Sequence, residues 1–263
     1  MVGRERLDSA VAARTGLTRS QARGLILAGR VTVDGRPAAK AGALLRSGAT
    51  VEVEAPPAFV SRGGDKLAAA LLAFGVSPAG RDVLDVGAST GGFTDAVLAR
   101  GARHVTALDV GYGQLAWKLR TDPRVTVIER TNFRTLGDDA FPERFDLIVV
   151  DASFISVRTI VARAAAYLRP GGSIVALVKP QFEAGRERIG GGGVVRDAAV
   201  HRAILGEVRD ALAQLGLIAV DAAVSPLRGP AGNVEFFYHI VRSGAPLDDA
   251  RLDALVTEAH REV

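Results

Sequence analysis

From residue 82 onward the chain alternates between two kinds of segment, and that alternation constrains its fold more than any other feature. Runs rich in Val, Ile and Leu occupy 82–86, 104–109, 125–128, 145–151 and 173–178. Stretches with helical spacing separate them at 93–100, 114–120, 157–168 and 197–215. Short apolar runs with many β-branched residues read as strands covered on both faces. Strands that alternate with helices must be parallel, joined by right-handed crossovers, with helices on both faces of the sheet. The expectation is an α/β domain with a mostly parallel sheet. Two more strand-like runs, 217–225 and 234–241, and an amphipathic helix over 248–262 follow. No Cys occurs among the 263 residues, which excludes a disulfide scaffold, a zinc–thiolate centre and a cysteine nucleophile. The first residues lack the apolar core of a signal peptide, and the runs at 147–150 and 174–178 are too short to span a bilayer. A cytoplasmic protein with no membrane partner is expected.

The segment ahead of this alternation differs in charge. Residues 1–55 hold nine Lys and Arg against five Asp and Glu, while 56–263 hold 24 of each, so the whole surplus of +4 lies in the first fifth. A basic segment before a neutral body points to a polyanion-binding module or, equally, to a solvated charged surface. Leu7, Val11 and Ala12 have helical spacing, Thr18 stands as an N-cap, and a second helix over 19–28 ends at Gly29. Short strands at 31–33 and 51–53 follow, with Asp34-Gly35 as a hairpin turn. Arg4, Arg6, Arg14, Arg19, Arg23 and Arg30 gather around the helix pair, and Lys40 is the one lysine of the segment.

The pattern Arg6-Leu7-Asp8, Ser20-Gln21-Ala22-Arg23, Leu25-Ile26 and Gly29-Arg30-Val31-Thr32-Val33-Asp34-Gly35 resembles the small RNA-binding domain first known from ribosomal protein S-four. That resemblance implies RNA contacts for the seven basic residues just named. Pro56-Pro57 stiffens the exit and marks a linker. The expected organisation is an α+β RNA-binding domain over 1–55, a linker over 56–61 and a second domain over 62–263.

The first strand of the alternation runs straight into Asp85-Val86-Gly87-Ala88-Ser89-Thr90-Gly91-Gly92-Phe93-Thr94. Glycines there let backbone N–H groups approach a ligand closely. The segment is no dinucleotide fingerprint, because Ser89 stands where that motif needs a second glycine, and no P-loop, because Gly-Lys-Ser/Thr is absent. Its order resembles the S-adenosylmethionine loop of Rossmann-like methyltransferases. The resemblance implies cofactor contacts from Asp85, Gly87, Ala88, Ser89, Thr90, Gly91, Gly92 and Phe93, with Asp109 accepting the ribose hydroxyls. Val110 would then lie by the adenosine, Asn132 near the adenine, and Asp151 and Ser153 beside the sulfonium. Taken singly, Asn132 reads almost as well as a turn residue.

Only four of the 33 basic residues are lysines: Lys40, Lys66, Lys118 and Lys179. Lysine can shed its proton where arginine cannot, so each retained lysine raises the question whether arginine would fail there. Lys66 is expected to start the helix before the first strand, Asp151 to end the fourth strand, Lys179 to end the fifth, and Glu235 to begin the last. Two lysines and two carboxylates amid apolar sequence read equally as an ion-pair network or as a catalytic centre. In order and context the four resemble the K-D-K-E tetrad of the FtsJ-like ribose 2′-O-methyltransferases. With the N-terminal segment and motifs such as Ser61-Arg62-Gly63-Gly64-Asp65-Lys66-Leu67, Lys179-Pro180-Gln181-Phe182-Glu183 and Gly229-Pro230-Ala231-Gly232-Asn233-Val234-Glu235, the chain resembles the TlyA (haemolysin A) family over nearly its whole length.

The resemblance implies a Rossmann-like domain with a seven-stranded sheet, S-adenosyl-L-methionine as cofactor, no required metal, and ribosomal RNA or ribosomal subunits as partners. The family's reaction methylates a ribose 2′-hydroxyl of cytidine. Lys179 is expected as general base, aided by the second ammonium nearby, with Lys66, Asp151 and Glu235 orienting it and the ribose. Gly185–Gly193 reads as a mobile cover or as a plain surface loop. Where some family members carry Arg-x-Trp-Val in the linker, this chain has Pro57-Ala58-Phe59-Val60. Two rival functions stand beside methylation: a non-catalytic RNA-binding assembly factor and, from the family's historical name, a membrane-active haemolysin.

Overall fold

A computed structural model describes residues 5–54 and 57–261. The chain divides into two compact units between Ala58 and Phe59. In the smaller unit α1 (Leu7–Thr15) ends at Gly16, whose φ of +70° lets its N–H cap Ala12. Thr18 then opens α2 (Arg19–Leu27) through a reciprocal capping box with Gln21. β1 (Val31–Val33) pairs antiparallel with β2 (Arg36–Pro37) across the Asp34-Gly35 turn. The returning strand β3 (Val51–Val53) lies on the other side of β1. Leu7, Val11, Ala22, Ile26, Val31 and Val51 form this unit's own core.

The larger unit runs through α3 (Arg62–Ala73), β4 (Asp82–Val86), α4 (Gly92–Ala99), β5 (His104–Leu108), α5 (Trp117–Arg120), β6 (Val125–Ile128) and β7 (Phe145–Val150). It continues with α6 (Val157–Ala165), β8 (Leu168–Val178), α7 (Pro180–Glu183), α8 (Ala198–Gln214), β9 (Ile218–Val224), β10 (Phe236–Val241) and α9 (Asp249–Arg261). Its seven strands lie in the order β6-β5-β4-β7-β8-β10-β9. The first five are parallel, and β10 is inserted antiparallel between β8 and β9. Side chains alternate between two cores, as a two-residue period requires. Ile148, Val150, Ile174 and Ala176 face α6, α8 and α9, whereas Leu147, Val149, Val175 and Leu177 face α3 and α4. The strand order reverses at β4, with β5 on one side and β7 on the other. Open α/β sheets bind ligands outside the carboxyl ends of the strands at such a point.

Four local expectations change. Phe59 and Val60, read as linker, pack against the larger core, and the Val60 N–H donates to Asp95 (2.8 Å). The helix expected from Lys66 begins at Arg62, so Lys66 sits in its second turn. Two glycines near its start mask this in the sequence; Gly64 is needed because a Cβ there would lie 2.4 Å from Phe59. The helix expected over 114–120 shortens to α5, since Ala116 stays extended with its N–H donated to Thr90. Glu235 precedes β10 rather than beginning it.

Candidate active site

Every member of the tetrad borders one cavity of about 470 Å³ at the carboxyl ends of the central strands. Lys66 comes from α3, Asp151 from the residue after β7, Lys179 from the residue after β8, and Glu235 from the residue before β10. They divide into two ion pairs. The Lys66 ammonium donates to Glu235 Oε2 at 2.5 Å, and both side chains are buried. The Lys179 ammonium lies 2.6 Å from Asp151 Oδ1, which has no hydrogen bond of acceptable angle, and donates to Ser153 Oγ at 2.9 Å. Each ammonium therefore has its own counter-ion, the ion-pairing that two lysines and two carboxylates allow.

A second cavity of about 450 Å³ shares Gly87, Ser89, Asp151 and Ser153 with the first. Asp109, Val110 and Asn132 border it too. Gly87 has φ +88°, and a Cβ there would lie 2.4 Å from the carbonyl of Asp151. Only glycine lets the loop run flush against the end of β7. Ser89 takes φ +49°, the left-handed conformation that a glycine would adopt without strain. Its N–H donates to Asp109 Oδ2 (2.8 Å), and the Gly111 N–H donates to Asp109 Oδ1 (2.6 Å). The Asp109 carboxylate thus ties two loops together and keeps lone pairs for a ligand's hydroxyls.

Of the loop residues, Ala88, Thr90, Gly92 and Phe93 border the tetrad cavity. Asp85 and Gly91 border neither. Asp85 lies fully buried beneath the loop, where Oδ2 accepts from the Thr94 hydroxyl at 2.7 Å. Its Oδ1 has no partner among the described residues, and burial pushes the carboxyl up to about 7. Gly91 brings the loop against Leu119 of α5. Both support the loop from behind. Asn132 also uses its side chain to cap the turn at Arg134 (3.1 Å).

Sequence reasoning passed over several residues. Ser61, Arg62 and Pro230 line the tetrad cavity; the Arg62-Gly63-Gly64 run beside Lys66 was the available signal. Glu183 is buried and accepts from Ser156 Oγ (2.7 Å) and the Val157 N–H (2.6 Å), so it fastens the corner after β8 to the start of α6. Asn233 is buried and bonds Val195 and Gly193, which anchors the glycine run to the segment that carries Glu235. Phe154 follows Ser153 with φ +63° and is 91% exposed, its ring 5.2 Å from that of Phe182.

In the smaller unit Arg6 and Arg19 both donate to Asp8, holding its carboxyl far below the usual carboxylate range. Arg14 donates to the Val51 carbonyl (2.9 Å), and Arg30 lies 3.7 Å from Glu54. Arg23 and Lys40 are exposed. Arg4 lies outside the described residues. No group of His, Cys, Asp and Glu among the described residues is arranged to hold a metal ion, and no helix is long and apolar enough to cross a membrane.

A seven-stranded sheet of this order, with a glycine loop at its switch point, is the architecture of Rossmann-like methyltransferases. The FtsJ-like methyltransferase family matches residues 59–242, and the S4 domain matches residues 5–51. The 16S/23S rRNA (cytidine-2′-O)-methyltransferase TlyA of Mycobacterium tuberculosis is 50% identical over 242 residues, 90% of each chain. Hemolysin A of Brachyspira hyodysenteriae is 38% identical over 85% of this chain and 94% of its own. A solved structure from Streptococcus thermophilus, described as a hemolysin candidate, superposes with a TM-score of 0.76 at 38% identity, covering 100% of this chain and 98% of that one. The chain belongs to the TlyA family of FtsJ-like methyltransferases.

Proposed function

We propose that this protein methylates the ribose 2′-hydroxyl of cytidines in bacterial ribosomal RNA, with S-adenosylmethionine as the methyl donor. One observation carries the reading: the four ionisable residues of the tetrad border a cavity that shares a wall with the cavity of the glycine loop. The resident groups fit the donor. Gly87 and Ser89 supply close backbone, Asp109 an acceptor for ribose hydroxyls, and Val110 and Asn132 the sides of a nucleoside slot. When bound, S-adenosylmethionine supplies an electrophilic methyl carbon on a sulfonium.

The chain's own residues have the remaining tasks. A ribose hydroxyl is a poor nucleophile until its proton leaves. Lys179 Nζ takes that proton as general base, and Asp151 beside it stabilises the ammonium that results. Lys66 and Glu235 form a fixed charged wall that orients the ribose. Holding the acceptor oxygen close and in line supplies much of the remaining acceleration.

The smaller unit supplies RNA affinity through phosphate contacts. Arg6 and Arg19 are oriented by Asp8, while Arg23 and Lys40 stand exposed. Such contacts release counterions, so affinity falls steeply with salt. Reversing Arg23 and Lys40 to Glu is expected to weaken RNA binding and to reduce the logarithmic salt slope by about two. The decisive experiment maps 2′-O-methyl marks on ribosomal subunits and naked rRNA treated with the pure protein and methyl donor. New marks on cytidines support the reading. Tight RNA binding without any mark would leave a binding factor, and vesicle leakage at low protein concentration would favour a membrane-active one.

A further inference from the structure

We infer that Ser153 is the positioning residue of Lys179 rather than a ligand of the methyl donor. The inference rests on the reading of Lys179 as base. Lys179 Nζ has two polar neighbours, and they do different things. Asp151 Oδ1 is the nearer at 2.6 Å, but the approach lacks hydrogen-bond alignment, so it attracts N–H bonds without fixing which one. Ser153 Oγ accepts an aligned N–H at 2.9 Å and supplies the direction. A neutral primary amine has two N–H bonds and one lone pair on a threefold staggered rotor. With one N–H held by Ser153, the carboxylate attracts the second and repels the lone pair. The lone pair is left for the cavity that Lys179 borders. Without the serine, only the unaligned carboxylate biases the rotor, and the lone pair is misdirected for more of the time.

The partner is itself held in place. Ser153 lies on the wall common to both cavities, so its hydroxyl is where acceptor and donor sites meet. The loop that carries it is fastened to the corner that carries Lys179 at a second point: Ser156 Oγ and the Val157 N–H both donate to buried Glu183, four residues beyond Lys179. The Ser153–Lys179 distance is thus set by two clamps on the same pair of segments. In the step itself the proton leaves the ribose oxygen for Nζ. The ammonium that forms keeps its N–H to Ser153, and the N–H gained faces the cavity, from which solvent recovers the proton.

The test uses S153A and S153T in the full chain. Ser153 is exposed, so neither change disturbs a core. In S153A the single-turnover methylation rate at saturating RNA and donor is expected to fall about 10- to 100-fold. Affinity for S-adenosylhomocysteine, by calorimetry, should stay unchanged. Lys179 should acylate faster with an amine-selective reagent, read by peptide mapping, and S153T should restore rate and reactivity together. An S153A rate equal to wild type overturns the inference. So does a parallel loss of S-adenosylhomocysteine affinity, which would make Ser153 a donor ligand. K179M separates the two levels: full methylation by K179M removes the base reading, whereas an inactive K179M beside a fully active S153A removes this inference alone.

Discussion

The two lysine–carboxylate pairs border one cavity yet differ in how far they are sealed. Lys66 and Glu235 keep 9% and 1% of their side-chain surface, Lys179 and Asp151 11% and 25%. The sealed pair lies in a low-dielectric setting, where losing either charge strands the other. It is suited to hold a fixed field and an unchanging shape. The other pair has a more open carboxylate and a second acceptor, Ser153, and its ammonium borders the cavity. Two lysine–carboxylate pairs are thus divided into a wall and a working group by the exposure of the carboxylate and by the extra acceptor at Ser153.

The largest expected effect falls on the working pair. K179M and K179R should lower the methylation rate by about 10²- to 10⁴-fold while leaving S-adenosylhomocysteine affinity intact. Arginine keeps the charge but cannot give up its proton. Normal turnover by either variant would break the distinction between wall and base.

Removing one partner of the sealed pair should act on stability instead. E235A is expected to cost about 3–5 kcal/mol by leaving Lys66 charged and unpaired, measured by chemical denaturation. The double variant K66M/E235L should recover most of that stability without recovering activity. D151N, with a half-open partner, should cost much less. Equal losses for E235A and D151N would show that burial does not separate the pairs.

Asp85 sharpens the contrast, because it is sealed without a cation. Its carboxyl is pushed from 3.8 up to about 7 by burial. The folded state therefore holds a proton that the unfolded chain releases above its ordinary value. Stability should decline as pH rises from about 4 to 7, by at most about 1.4 kcal/mol per pH unit. D85N should lack this slope and gain on the wild type at pH 8, read as denaturation midpoints against pH. A parallel slope in both proteins would place the titration elsewhere.

Asp8 gives the smallest and opposite effect. Two guanidinium groups hold its carboxyl low, so its contribution is present above the ordinary carboxylate value and fades as pH falls below it. Thermal unfolding of the smaller unit in D8N should be flatter than wild type below pH 4.

Much of this was readable in the text of the chain. Four of the five parallel strands appear within one residue of their true bounds, because buried β-branched runs leave a strong local signature, whereas β8 begins at Leu168, five residues before the expected 173, in a stretch with two glycines and no such run. The glycine loop and all four tetrad residues could be named from residue type and context. What escaped depended on contacts distant in sequence. Gly63 and Gly64 look like breakers ahead of Lys66, yet they lie in the first turn of α3, where Phe59 packs against Gly64. The stretch 114–120 reads as a helix, yet the Ala116 N–H is donated to the Thr90 carbonyl and the helix starts only at Trp117. Asp85 reads as a ligand residue, but its side chain turns under the loop to Thr94.

Local pattern alone determined the class of fold, the break between a basic module and an α/β body, and which residues could do chemistry, since periodicity and residue type are properties of neighbours along the chain. Which lysine faces which carboxylate, which pair is shut away from water, and that Ser153 bonds Lys179 were decided only when a helix and strand ends some 26 to 169 residues apart were brought together. Burial and hydrogen-bond direction are properties of that assembled space, and no stretch of sequence carries them by itself.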